Sequence, residues 1–143
     1  MIEGAVREAS TWPTSIRDRV TFCVGGCTKP LDLGDRPFDL VCGAWLLNYD
    51  ATAGKQLGMW RNIFANLRPG GQFIGVTPNV HMGNVKQPID DRYGYAVVPV
   101  EKVEDGWKCR LTTYTQPENV ESETHNLSKK EYEASAAEAG LIG

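Results

Sequence analysis

The sequence predicts an α/β domain in which parallel strands and helices are followed by antiparallel strands. Three observations support this prediction. An apolar run at Phe38–Gly43 is followed by a helical periodicity and then by a second apolar run. Two further extended runs flank a turn at Asp105-Gly106, which is typical of a hairpin. The length of 143 residues suits one domain with one core, so we expect residues 1–143 to form a single unit.

The helix between the two apolar runs is predicted from its spacing. Its apolar positions recur every three or four residues from Gly54 onward: Leu57, Trp60, Ile63, Phe64 and Leu67. Pro69 cannot continue a helix, and Gly70 and Gly71 permit a tight turn before the strand at Gln72–Val76. Short connections favour parallel pairing of the strands on either side, with the helix crossing right-handedly. Trp60 is expected in the core.

The flanking segments are predicted in the same way. The opening residues, with Met1, Ile2, Ala5 and Ala9 at helical spacing, predict a helix. The β-branched and aromatic run Val20–Val24 predicts a short strand that ends at Gly25-Gly26.

The second half predicts a hairpin and a final helix. Residues 80–94 are polar and contain two glycines and a proline, which is typical of a loop. Tyr95–Glu101 and Trp107–Thr115 are predicted as antiparallel strands. Ser128 and Glu131 have the spacing of a capping box at the start of a helix that Gly140 ends.

Composition excludes several classes of partner. A formal net charge of −3 with interspersed charges argues against a nucleic-acid-binding protein. No apolar stretch approaches the ~20 residues of a membrane span, and no signal-peptide pattern opens the chain, so a cytoplasmic protein without membrane contact is expected. Four cysteines are expected as reduced, mostly buried thiols: Cys23, Cys27, Cys42 and Cys109. Their spacing gives no zinc pattern, and no metal is expected.

Four stretches together resemble a known family. They are "VTFCVGG", "FDLVCGAWLLNY", "LRPGGQFIGVTPN" and "LSKKEYEASAAEAGL". In this order they resemble the class I S-adenosylmethionine-dependent methyltransferases, most closely the small-molecule branch that includes toxoflavin-synthase-like enzymes. The resemblance implies a Rossmann-like sheet that is truncated at both ends and lacks its first two strands and its last. The glycine-rich turn and the ribose-binding acid of the family would lie in the missing part.

The resemblance also implies positions for cofactor-binding residues. Gly25, Gly26 and Cys27 match the loop that lies along the adenine, although Gly26 replaces the acidic residue that usually accepts the adenine amino group. Ala44, Trp45 and Leu46 match the loop beside the methionine end of the cofactor and the substrate. Two structural alternatives stay open, because Gly26 is also suited to an ordinary turn and Trp45 to a core position.

Methyl transfer depends mainly on orientation, so a general base is optional. The candidates for catalysis are His81 and His125, together with Tyr49, although a histidine at either position is more often an ordinary solvent-facing or loop residue than a catalyst. Tyr49 and Asn79 also match positions where substrates are contacted in such sheets.

The implied function is therefore methyl transfer from S-adenosylmethionine to a small molecule, with weak or absent cofactor binding expected for this chain alone. Whether the chain acts as an enzyme stays open. The alternative is a degenerate methyltransferase that serves as a binding or assembly partner. Without the family's first strand, Phe38–Gly43 would present an apolar edge, so a homo-oligomer or a complementing partner chain is expected.

Overall fold

A computed structural model of the chain describes residues 2–34, 36–49, 52–78 and 94–142. Within these ranges the elements follow in the order α1 Ile2–Ala9, α2 Thr14–Arg17, β1 Phe38–Ala44, α3 Ala53–Asn66, β2 Leu67–Val76, β3 Tyr95–Val103, β4 Gly106–Thr113, β5 Val120–Leu127 and α4 Lys129–Glu138. Strands β1 and β2 form a parallel sheet, and β3, β4 and β5 form an antiparallel sheet in that order. The predicted fold class is confirmed, as is the opening helix.

The unit β1–α3–β2 has the predicted parallel pairing. The register is regular from Leu40, which pairs with Gln72, to the end of β1. Phe38, however, pairs with Leu67, so the register shifts between Phe38 and Leu40. Residues 68–71 of β2 therefore form an irregular bulge, in which Gly70 takes a φ of 75° that a residue with a side chain rarely adopts. The strand thus begins at Leu67, five residues earlier than predicted, because the glycines bend it without ending it.

The core lies where α3 meets β2, β5 and α4. Its buried members are Leu47, Met59, Trp60, Ile63, Leu127, Tyr132 and Ala139. The Trp60 ring packs edge-on against Phe73 with centroids 5.1 Å apart, so its predicted core position is confirmed. Phe64 was predicted on the same face but is 49% exposed, since it points into an open groove between β2 and α4, against Gly140.

The predicted strand at Val20–Val24 is wrong, because these residues lie in no strand and Val24 is 84% exposed. A strand is stable only beside a partner, and among the described residues β1 and β2 pair only with each other. The segment that follows is held by α3 instead.

The predicted hairpin of β3 and β4 is confirmed, but β5 was missed. Strand β5 pairs antiparallel with β4 along its whole length, with Thr124 opposite Cys109. It escaped prediction because its apolar residues, Val120 and Leu127, lie only at its two ends. Its inward positions are filled by small polar side chains, so no apolar alternation marks it.

Helix α4 begins and ends as predicted. The Oγ of Ser128 accepts a hydrogen bond from the backbone N–H of Glu131 at 3.2 Å. Gly140 follows the helix with a φ of 101°, which suits a glycine at a helix end. The helix packs on α3 and closes the core on that side.

Candidate functional site

The carboxyl ends of β1 and β2 lie side by side because the strands are parallel. The backbone N–H of Trp45, directly after β1, donates to the carbonyl of Val76, the last residue of β2, at 2.9 Å. We call residues 44–46 and 76–78 the strand-end edge. In open α/β sheets ligands bind outside the carboxyl ends of the strands, so this edge is the candidate site.

Trp45 has the least common backbone conformation among the described residues with side chains. Its φ of 57° lies in the left-handed region, which bulky residues rarely adopt. Its side chain is 48% exposed, so Trp45 is not a core residue. Strained backbone of this kind concentrates at functional sites, and here it presents an indole at the end of a parallel strand.

The segment after Trp45 is held by the core and by α3. Leu46 packs against the core and Leu47 is buried within it. The side-chain amide of Gln56, in α3, donates to the carbonyl of Leu47. Because the Leu47 backbone is tied to a helix, the strand-end edge cannot shift freely relative to α3.

Asn48 ties the same segment to the antiparallel sheet. Its side-chain amide donates to the Oγ1 of Thr124 at 2.6 Å, and its carbonyl accepts from the backbone N–H of His125 at 2.7 Å. The Thr124 hydroxyl also lies 3.2 Å from that carbonyl. Neither Asn48 nor Thr124 was singled out from the sequence, and Thr124 could not be, since its strand was not predicted.

Two of the three proposed catalytic residues, Tyr49 and His125, lie among the described residues. Tyr49 follows Asn48 and is 54% exposed, and His125 is half-buried in β5 where its backbone meets Asn48. The structure therefore brings Tyr49 and His125 to the same segment. His81 and Asn79 lie outside the described residues.

The segment Gly25–Cys27 lies against α3. The side chain of Asn62 donates to the carbonyl of Cys27 at 2.7 Å and also to that of Lys29, and it accepts from the N–H of Leu31 at 2.8 Å. Gly58 allows this approach, because an added Cβ would lie 2.7 Å from the carbonyl oxygen of Thr28. The described hydrogen bonds of the segment go to α3 and within its own turn, and none reaches residues 44–46.

The described residues suit S-adenosylmethionine only in part. Open space surrounds the position where Gly26 would carry a side chain, and Trp45 offers an aromatic surface. The position expected to hold an adenine-binding carboxylate is Gly26, so no carboxylate is supplied there. Contact and stacking are available, whereas charge-assisted recognition at Gly26 is not, and no methyl-transfer step follows from these residues.

Other chemistry-bearing groups lie apart from this edge. The expected burial of most cysteines is wrong, because Cys23 and Cys42 are exposed, Cys27 is partly buried and only Cys109 is buried. Burial raises the pKa of the Cys109 thiol, which disfavours a reactive thiolate. Within the described ranges, no three His, Cys, Asp or Glu side chains cluster as a metal site would require. None of the helices in that part of the chain is long and apolar enough to cross a membrane.

No family model and no curated protein sequence matches the chain. Solved structures do. A S-adenosylmethionine-dependent methyltransferase from Clostridium acetobutylicum is similar with a TM-score of 0.63 and 15% identity, covering 98% of this chain and 58% of its own. The CcbJ methyltransferase from Streptomyces caelestis has a TM-score of 0.66 and 18% identity, covering 96% and 59%.

CalS10, an amino pentose methyltransferase from Micromonospora echinaspora solved with S-adenosylmethionine bound, has a TM-score of 0.52 and 19% identity, with 81% of this chain and 54% of its own covered. Such low identities show a shared fold and nothing finer. The chain thus has the fold of S-adenosylmethionine-dependent methyltransferases, and it spans less than two thirds of the length of these structures.

Proposed function

We propose that this chain is a methyltransferase-type domain for a small-molecule substrate, with S-adenosylmethionine as methyl donor, and that the chain alone binds the cofactor weakly or not at all. One observation carries the proposal: Trp45, strained and half-exposed, stands at the joined carboxyl ends of two parallel strands. The shared fold with methyltransferases supports the choice of cofactor.

In this proposal Ala44–Leu46 contacts the methionine end of the cofactor and Gly25–Cys27 its adenine. When bound, S-adenosylmethionine supplies a methyl group on a sulfonium. The chain's part is to orient the reactants and to exclude water. Tyr49 and His125 lie on the substrate side, and His125 is the described residue suited to accept a proton there; His81 keeps the same proposed role.

Ligand mapping tests the proposal. S-adenosylhomocysteine is titrated at millimolar concentration into the isotope-labelled chain, because a millimolar complex corresponds to only about −4 kcal/mol. We expect amide shifts concentrated at residues 25–27 and 44–46, and we expect Trp45→Ala to remove those at 44–46. Trp12→Ala, at a partly exposed tryptophan outside the edge, is the matched control. Shifts confined to other parts of the chain would contradict the proposal.

A second candidate function is assembly, and the uncovered face of the parallel sheet favours it. The exposed side chains of this face include these five: Phe38, Leu40, Cys42, Ile74 and Val76. Parallel sheets are normally covered on both faces, whereas here α3 covers one. Contiguous exposed apolar surface of this kind is typical of an interaction site.

We propose a second copy of this chain as the occupant of that face. The five side chains include no charged group, so two copies packed face to face would place no like charges opposite each other. A complementing partner chain, pairing with the open edge of β1, is the alternative outcome.

Light scattering on the purified chain distinguishes these cases. We expect a dimer that Ile74→Asp dissociates, because Ile74 is 59% exposed and the change leaves the core intact. Val24→Asp makes the same change at an exposed residue away from the face and should leave the dimer unaffected. A compact monomer at high concentration would contradict self-association, and recovery of a different chain bound to β1 would favour complementation instead.

A further inference from the structure

The two sheets meet at a buried polar contact. Asn48 is only 3% exposed, and Thr124 is buried opposite it. The Thr124 hydroxyl accepts from the Asn48 side chain and lies within donating distance of the Asn48 carbonyl, while the neighbouring N–H of His125 donates to that carbonyl. Side chain and backbone of one residue are thus engaged by two consecutive residues of β5.

The contact fixes the far end of the short segment that follows β1. The segment Trp45–Tyr49 is held at its start by the Trp45 N–H on Val76 and at its far end by Asn48 on β5. Leu47, between these anchors, is buried. The rings of Trp45 and Tyr49, at the two ends of the segment, stay about half exposed. Two aromatic rings on a fixed backbone are a preorganised surface for a planar ligand.

We propose that Asn48 and Thr124 are positioning residues that lock the segment Trp45–Tyr49 onto β5 and so hold the rings of Trp45 and Tyr49 at the strand-end edge. The assignment of this edge to a ligand rests on the proposed function. The locking itself does not, because it concerns contacts of the chain alone. The pair also makes the antiparallel sheet part of the site, together with His125, the next residue of β5.

A matched pair of variants tests the locking. Thr124→Val keeps the shape of the side chain but removes its hydroxyl, and Thr124→Ser keeps the hydroxyl. Thr112→Val makes the same chemical change on β4, where residue 112 lies opposite residue 121 of β5, three positions from Thr124. The readout is residue-resolved hydrogen exchange of the amides of Trp45 and His125, with the buried residue Ile63 in α3 as the internal reference.

We expect Thr124→Val to accelerate exchange at Trp45 and His125 by about tenfold or more while Ile63 changes little, since the opening is local. Thr124→Ser and Thr112→Val should stay close to the wild type. Equal acceleration at all three amides would show a merely structural role and overturn the proposal, as would no acceleration at all.

The ligand titration is repeated on the same variants. Loss of the shifts at residues 44–46 in Thr124→Val, with retention in Thr124→Ser, is the expected result. Unchanged shifts in Thr124→Val would overturn the positioning of the ligand edge. If the wild type shows shifts only outside residues 25–27 and 44–46, the proposed function fails, and hydrogen exchange alone still decides whether the pair locks the segment.

Discussion

The two sheets of this chain differ in how much apolar surface they leave exposed. In the antiparallel sheet, outward positions carry charged residues such as Arg110 and Glu123, and one wet face is normal for such a sheet. In the parallel sheet, outward positions carry Leu40 and Ile74, and among the described elements only α3 covers the sheet, on one face. The candidate site lies on the parallel sheet. Thus the half of the molecule that carries the site is also the half whose burial is incomplete.

Removal of the Trp60 ring should have the largest effect, because it empties the layer between α3 and β2. We expect Trp60→Ala to lower the free energy of unfolding by about 3–5 kcal/mol, since an emptied aromatic site rarely collapses fully. Denaturant unfolding measures this. Phe64→Ala on the same helix is the control and should cost clearly less, because that ring is half exposed. A loss below about 1 kcal/mol for Trp60→Ala would show that the parallel half has no real core there.

Asn62→Ala tests how α3 holds residues 27–31, which follow the wrongly predicted strand. Its side chain bonds the backbone of Cys27, Lys29 and Leu31, so truncation leaves partly buried backbone groups without these partners. We expect a loss of about 1–3 kcal/mol and faster exchange of the Leu31 amide. Asn66→Ala, which removes one bond within α3, is the matched control. If both variants behaved alike, α3 would not be what holds this segment.

Ser128→Ala tests the junction between β5 and α4. Loss of the hydroxyl leaves the Glu131 N–H without its side-chain acceptor, so the variant should lose about 1 kcal/mol of stability. Ser128→Asp, which keeps an acceptor at the cap, should retain most of it. Equal losses in thermal unfolding of the two variants would contradict the cap.

The smallest effect is expected on the surface of the antiparallel sheet. The hydrogen bond from Lys108, whose Nζ lies 2.7 Å from the carboxylate, lowers the pKa of Glu123 below its usual range. A lowered pKa in the folded state means that the pair stabilises above the unfolded pKa, and that this is lost as pH falls through the folded pKa.

Glu123→Gln should therefore be slightly less stable than the wild type at neutral pH, and the difference should shrink as the pH falls below about 4, near the pKa of an unperturbed glutamate. Thermal unfolding as a function of pH measures it. Glu121→Gln, two residues along β5, controls for the change in net charge. A difference that persisted in acid would contradict the role of the pair.

Much of the fold could be predicted because the elements follow local rules. The spacing in α3, the capping residues of α4 and the hairpin turn each act over a few residues. The structure has all three, although the turn lies at Glu104-Asp105, one residue before the predicted Asp105-Gly106, and Gly106 begins β4. The strand at Val20–Val24 could not be judged in this way, because strand formation depends on a partner elsewhere in the chain. Strand β5 was missed for the opposite reason: its sequence is polar, but it forms a strand because it pairs with β4.

The candidate site was predictable only through resemblance. Trp45 was selected by its place after an apolar strand, whereas its backbone strain and exposure are properties of the folded chain. Asn48 and Thr124 are ordinary polar residues in the sequence. Their importance comes from a contact between residues 76 positions apart, which no local pattern reports.

Calorimetric titration of the purified chain with S-adenosylmethionine tests the central claim most directly. The site offers stacking at Trp45 but has Gly26 where a carboxylate would be expected, and charge-assisted hydrogen bonds contribute about 1.5–3 kcal/mol each. The glycine-rich turn and the ribose-binding acid of the family are likewise missing from this sequence. Losing two or three such bonds weakens binding by about three or more powers of ten, so we expect a dissociation constant in the millimolar range or no measurable binding. A dissociation constant in the low micromolar range would contradict the account and would require a cofactor site built from other residues of this chain.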